Sequence, residues 1–139
     1  MEKKRTIELE AKEENLVMVF EAIEDFFGSG DISDGTVKKL KLVLEEGFIN
    51  IVHYAYKDGE NGKIILKLQL TEEKEAVITL KDRGVPFNPL KKEDPDVNKP
   101  AAERPIGGLG IFLMKQLMDE VSYEYLEGYN ILTMHKKDN

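Results

Sequence analysis

Glu46 and Asn50 stand four residues apart in a stretch with helical apolar spacing. On a helix they differ by about 40° and stack one turn apart. An Asn carboxamide oxygen is a hard, neutral donor suited to Mg²⁺, an ion that keeps several waters and takes other ligands from phosphates. A carboxylate one turn earlier can take a proton from a hydroxyl or water approaching a phosphoryl group. Taken alone, the same pair describes many solvated helix faces. It lies away from the apolar stripe centred near Leu40, Gly47 and Ile51. His53 shares the polar face and reads as a surface or packing histidine, with no chemistry assigned to it.

Two further clusters follow. Asp82-Arg83-Gly84-Val85-Pro86-Phe87 ends an alternating apolar run. A buried carboxylate at a strand end can accept from the exocyclic amine of adenine, whereas guanine presents an acceptor there and is repelled. Gly84, lacking a Cβ, lets the backbone approach a ligand closely. Asp and Gly also suit an ordinary β-turn. Gly107, Gly108 and Gly110, with Leu109 among them, precede an apolar segment. Backbone N–H groups at such a helix start, with the helix dipole behind them, attract phosphate oxygens. A tightly packed junction would use the same residues. No Gly-Lys-Ser/Thr follows, so this is not a P-loop, nor does it open a βαβ dinucleotide unit. Arg104 could clamp a terminal phosphate or stand as a surface charge.

The elements that must position these groups are legible in outline. Thr6 to Leu9 alternates as an edge strand. Leu16, Phe20, Ile23 and Phe27 mark the core face of a helix over Glu13 to Phe27, which Gly28 closes. Val19 and Phe26 form a second stripe on it. Ser33 or Asp34 caps the next helix, which runs to about Tyr56. Leu42, Ile49 and Tyr56 make a stripe on that helix away from its core face. At least one of these two stripes should be covered by protein, either by intramolecular packing or by a partner. Lys63 to Leu70 and Ala76 to Lys81 form a hairpin around Thr71 to Glu75. All five prolines fall between Pro86 and Pro105, so about 86–106 reads as a loop, and its length suggests a lid. A helix resumes at Gly108. A last hairpin joins Val121–Leu126 to Ile131–His135 across Glu127 to Asn130. The order predicts one α+β domain over 1–139, a two-layer sandwich of mixed, mostly antiparallel sheet with helices on one face.

Bulk properties narrow the class. The chain has 139 residues and no cysteine, which excludes disulfides and thiolate metal sites. Its 20 Lys+Arg against 27 Asp+Glu, net charge −7, argue against direct nucleic-acid binding. No run approaches ~18 apolar residues, so no membrane span is expected and a soluble cytoplasmic domain is the default.

In their order and separations, the three clusters resemble the nucleotide pocket of the ATPase superfamily of gyrase, 90 kDa heat-shock chaperones, histidine kinases and mismatch-repair ATPases. Within it, Glu46-Gly-Phe-Ile-Asn50, Asp82-x-Gly84-x-Pro86-Phe87 and Gly107-Gly-Leu-Gly-Ile-Phe-Leu-Met114 running into Met118-Asp-Glu-Val121 are similar to the boxes of bacterial anti-sigma-factor serine/threonine kinases. That resemblance implies a Bergerat-type fold, ATP and Mg²⁺ as cofactors, Glu46 as base, and Asn50 as metal ligand. It places Asp82, Gly84, Pro86, Gly108, Leu109 and Gly110 around the nucleotide. It further implies a serine on an anti-anti-sigma (STAS-type) partner as substrate, sequestration of a sigma factor, and often a homodimer. Three positions depart from the pattern: Ile51 follows the metal Asn where Ala is common, His53 stands one place early, and Gly47 replaces the usual Ala. Two other readings compete. One is an ATP-dependent switch module with little or no transfer, which would not need Glu46. The other is a detached histidine-kinase domain, which would carry Asn at that position.

Overall fold

Alternation of apolar and polar residues builds the sheet. In the computed structural model, which describes residues 2–56, 62–91 and 108–138, the strands are β1 (Lys3–Glu10), β2 (Lys63–Leu70), β3 (Glu75–Asp82), β4 (Glu120–Leu126) and β5 (Tyr129–Lys137). They pair in the order β1-β2-β3-β5-β4, every neighbour antiparallel. On β2 and β3 every second side chain is buried. That is the pattern of a sheet with one face on a core and one toward solvent. The helices are α1 (Leu16–Phe27), α2 (Asp34–Tyr54) and α3 (Gly108–Leu117), with 3-10 turns at Glu13–Asn15 and Pro89–Lys91. Their buried residues and the inward residues of the sheet form one core, the two-layer α+β sandwich expected.

Capping sets where α2 begins. The Ser33 hydroxyl accepts from the Thr36 N–H at 3.3 Å, closing one of the orphan donors of a helix start. Asp138, just beyond β5, accepts from the Thr36 hydroxyl at 2.8 Å and the Ser33 hydroxyl at 2.9 Å, tying the end of the sheet to that start. The helix ends at Tyr54 rather than Tyr56. The Tyr56 hydroxyl instead donates to the Lys63 carbonyl at 2.7 Å and accepts from the Arg83 N–H at 2.9 Å.

The second stripe on α1 is core. Val19 and Phe26 are buried, along with Ala22, Ile23 and Phe27, while Phe20 is only half-buried. The buried set follows i, i+3, i+4, i+7, i+8, a wider arc than one stripe, because α1 meets both α2 and the sheet. Phe26 therefore offers no face to a partner. It packs edge-to-face on Phe27 with ring centroids 4.7 Å apart.

Gly47 is explained by packing. A Cβ there would lie 2.8 Å from Leu80 Cδ1 and 3.6 Å from Met114 Cε, both buried side chains. Gly47→Ala gains about 1 kcal/mol of helix propensity but overpacks the junction of α2, β3 and α3, which costs about 1–3 kcal/mol. The second effect wins, and thermal unfolding of the variant should shift down by a few degrees. A raised midpoint would show that Leu80 has room to turn.

Candidate functional site

The C-terminal half of α2, the ends of β3 and β5, and the segment after β3 line an open cleft. Gly47, Asn50 and Ile51 of α2, with Ala55 just past its end, line one side, so the polar and apolar faces of this helix meet at the cleft rather than lying apart. Leu80, Asp82, Asn130 and Leu132 form the floor, and Val85, Phe87, Pro89 and Tyr123 close the rest. The Phe87 ring stacks on Tyr54 at 6.0 Å. A largely apolar slot with a few convergent polar groups suits a flat heteroaromatic ligand.

Asp82 is placed by strand alternation. Ile78, Leu80 and Asp82 take successive inward positions on β3, so the carboxylate is buried in line with the core. Its Oδ1 accepts from the Gly84 N–H at 2.9 Å and from Asn130 Nδ2 at 2.9 Å. Burial pushes its carboxyl above the usual carboxylate range, and the Asn130 amide and Gly84 N–H pull it part of the way back. The site thus holds a carboxylate with one oxygen already occupied.

Asn50 presents a different signal. Its Nδ2 is buried and has no hydrogen-bond partner among the described residues. A buried polar end without a partner costs about 1–3 kcal/mol, unless a ligand supplies one. An amide can also turn its oxygen to the same place, so the residue fits a bound cation or its water shell. Among the described residues no three His, Cys, Asp or Glu side chains gather to hold a metal.

Glu46, one turn earlier, lies against the start of α3. A Cβ on Gly110 would fall 2.0 Å from Glu46 Oε2. Only glycine lets the carboxylate sit so close to the first turn of that helix. Burial, and secondarily the neighbouring Glu45 carboxylate, raises Glu46 above the ordinary glutamate value. That moves it toward the range where a general base works.

Other expected site residues fall differently. The close approach at Gly84 is to protein, not ligand: a Cβ there would lie 2.2 Å from the Ala55 carbonyl oxygen, which accepts from the Val85 N–H at 2.8 Å. Pro86 is exposed and does not line the cleft. Gly108 and Leu109 belong to the first turn of α3. Arg104 and most of the expected lid lie outside the described residues. The described start of that segment is anchored rather than loose, with Pro89 buried and Leu90 packed on the core. His53 is turned away to Glu13, Nε2 to Oε1 at 2.6 Å.

Sequence reasoning missed Asn130. The residue is buried on β5 directly opposite Asp82, and bonds to it. The signal was present: Asn130, Leu132 and Met134 alternate inward. The last turn is only two residues, Glu127 and Gly128, both at positive φ, 52° and 86°. Such a pair makes the tight hairpin turn whose twist suits the strands. It leaves Asn130 in the strand rather than in the turn.

This fold and site define a class. The chain belongs to the histidine kinase-like ATPase domain family, whose sequence profile matches residues 9–136, and within it to the anti-sigma-factor type of kinase. It is 31% identical over 136 residues to the serine-protein kinase RsbW of Listeria monocytogenes serovar 1/2a, covering 95% of this chain and 86% of that protein. It is 36% identical over 110 residues to the serine-protein kinase RsbW of Bacillus cereus (strain ATCC 10987 / NRS 248), covering 76% and 64%. Among solved structures, the RsbU and RsbW domains of a Mycobacterium tuberculosis protein superpose with a TM-score of 0.70 at 14% identity, over 98% of this chain and 32% of that one. A blue-light activated histidine kinase of Erythrobacter litoralis gives 0.59 at 17% identity, over 87% and 40%. At those identities the structural likeness speaks for the fold. Among the described residues no helix is long and apolar enough to cross a membrane.

Proposed function

We propose that the protein is an ATP-dependent serine/threonine kinase that phosphorylates a small anti-anti-sigma (STAS-type) partner on a serine and sequesters a sigma factor. One observation carries the ATP part of this reading. The buried Asp82 carboxylate and Asn50, whose Nδ2 has no partner among the described residues, line the same cleft, with Glu46 one turn from Asn50 and against the start of α3. In this arrangement Asp82 Oδ2 accepts from the adenine amine, and Ile51, Ala55 and Phe87 cover the ring. The N–H groups at the start of α3 receive phosphate oxygens. Asn50 would hold Mg²⁺, which when bound neutralises charge on the phosphates. Glu46 takes the proton from the attacking serine hydroxyl. Kinship with serine-protein kinases supports the transfer and the partner classes.

The test is incubation of the protein with γ-labelled ATP and candidate STAS-type proteins, with sigma-factor capture read in parallel. Label on one serine, with capture that falls as label accumulates, is the expected result. Tight nucleotide binding without transfer would leave the switch-module reading instead.

Asn50→Ala isolates the cation. Removal of an amide whose buried Nδ2 has no partner among the described residues should leave the melting temperature unchanged or higher. The gain in ATP affinity that Mg²⁺ brings over EDTA should disappear. A variant that keeps the full Mg²⁺ dependence would place the ligand elsewhere.

A further inference from the structure

We infer that Asn130, locked by Tyr123 and by the backbone of residues 84–87, is the positioning residue that makes the Asp82 site selective for a 6-amino purine. The inference deepens the nucleotide reading above and rests on it. Every hydrogen-bonding capacity of the Asn130 amide is used. Its Oδ1 accepts from the Phe87 N–H at 3.1 Å and from the Tyr123 hydroxyl. Its Nδ2 donates to Asp82 Oδ1 at 2.9 Å and to the Val85 carbonyl at 3.0 Å, with the Gly84 carbonyl at 3.4 Å. Two donors face the oxygen and the acceptors face the nitrogen, so a flip would lose all of these bonds at once.

The consequence falls on Asp82. With the Gly84 N–H also on Oδ1, that oxygen is saturated and the carboxylate cannot rotate without breaking two bonds. That leaves Oδ2, on a residue that lines the cleft, as the oxygen open to a ligand donor. An ionised carboxylate held this way takes an N–H donor and repels a carbonyl at the same ring position. Asn130 also favours the ionised form, since its donor opposes part of the effect of burial. Without it, Asp82 would turn more freely and protonate more readily. A protonated acid can donate to a 6-oxo group, and discrimination would be lost. Asn130 touches no reacting atom; it acts through Asp82.

The experiment titrates wild type, Asn130→Ala and Tyr123→Phe with Mg-ATP and Mg-ITP by calorimetry. A ¹³C NMR titration of the Asp82 carboxyl runs alongside without nucleotide. Loss of one hydrogen bond to a charged group is worth roughly tenfold or more. Asn130→Ala should weaken ATP by about that factor and bring the ATP to ITP preference toward one. Tyr123→Phe, which keeps the ring and removes only the lock on the amide, should move the ratio in the same direction by less. The Asp82 carboxyl should titrate at higher pH in Asn130→Ala than in wild type. A variant that loses affinity for both nucleotides equally, with an unmoved carboxyl titration, would overturn the assignment and leave Asn130 a structural residue. If wild type binds neither nucleotide, the nucleotide reading falls while the carboxyl titration still decides the Asn130–Asp82 coupling. If Asn130→Ala does not fold, Tyr123→Phe decides: an unchanged ATP to ITP ratio rejects the proposal.

Discussion

Glu46→Gln should bind Mg-ATP with near wild-type affinity and lose roughly 10²–10⁴-fold in phosphotransfer, the usual worth of a positioned general base. The amide has the shape of the carboxylate, so the contact with Gly110 is preserved and the start of α3 stays where it is. What goes is the capacity to take a proton. The pH profile carries an independent signature. Burial, then Glu45, raises the Glu46 carboxyl above the ordinary 4.5. A base must be ionised to act, so turnover in wild type should fall as pH drops through a value above 4.5. In Glu46→Gln the residual rate should lack that limb. Single-turnover transfer to the proposed STAS-type substrate, measured across pH with saturating ATP, checks both points. Transfer at the wild-type rate would remove Glu46 from the chemistry.

The sequence yielded the fold wherever periodicity was strong. Strands β2 and β3 alternate over their full length, and α2 carries a cap and a continuous apolar face, so these elements were readable, the start of α2 included; its end falls two residues before the expected Tyr56. The misreadings came where one pattern serves two purposes. On α1 the spacing of Leu16, Phe20, Ile23 and Phe27 is as helical as the arc through Val19 and Phe26 that is buried. Only the sheet and α2, distant in sequence, decide which arc turns inward. At the last hairpin, Tyr129 and Asn130 follow a Gly and look like turn residues. The two positive-φ positions at Glu127 and Gly128 shorten the turn and return Asn130 to the strand. Glu46 and Asn50 were legible as candidates because they lie one helical turn apart, and Asp82 because it ends an alternating strand two residues before a glycine. Asn130 was not, because its role exists only through the β3–β5 register that sets it against Asp82. Gly84 reads from sequence as a close approach to a ligand, but the neighbour is the Ala55 carbonyl at the end of α2, a contact that no local pattern reveals.

Asp82→Asn should abolish useful ATP binding and at the same time stabilise the free protein at neutral pH. The network around the residue dictates which way the new amide points. The Gly84 N–H and Asn130 Nδ2 both donate to the position of Oδ1, so the amide oxygen must occupy it and the NH₂ group must take the place of Oδ2. A donor then faces the donor of the adenine amine. Loss of a charge-assisted bond, about 1.5–3 kcal/mol, adds to an unpaired buried donor, about 1–3 kcal/mol. Together these correspond to roughly 10²–10⁴-fold in affinity. Stability moves the other way. Burial raises the Asp82 carboxyl above 3.8 in the folded protein, so the folded state binds the proton more tightly than the unfolded chain. Wild-type stability therefore declines as pH rises from 3.8 through that raised value. Asn has no such charge to bury, and the variant should lack this decline. A site that weakens the fold to recognise its ligand is a familiar trade. Melting curves across pH, together with calorimetric titrations of Mg-ATP and Mg-ITP, measure both halves. The reoriented amide can donate to a 6-oxo group, so the residual preference should shift toward ITP. Near-normal ATP affinity in Asp82→Asn would sink the adenine assignment. A melting temperature that falls at neutral pH would mean that the ionised carboxylate holds the site together.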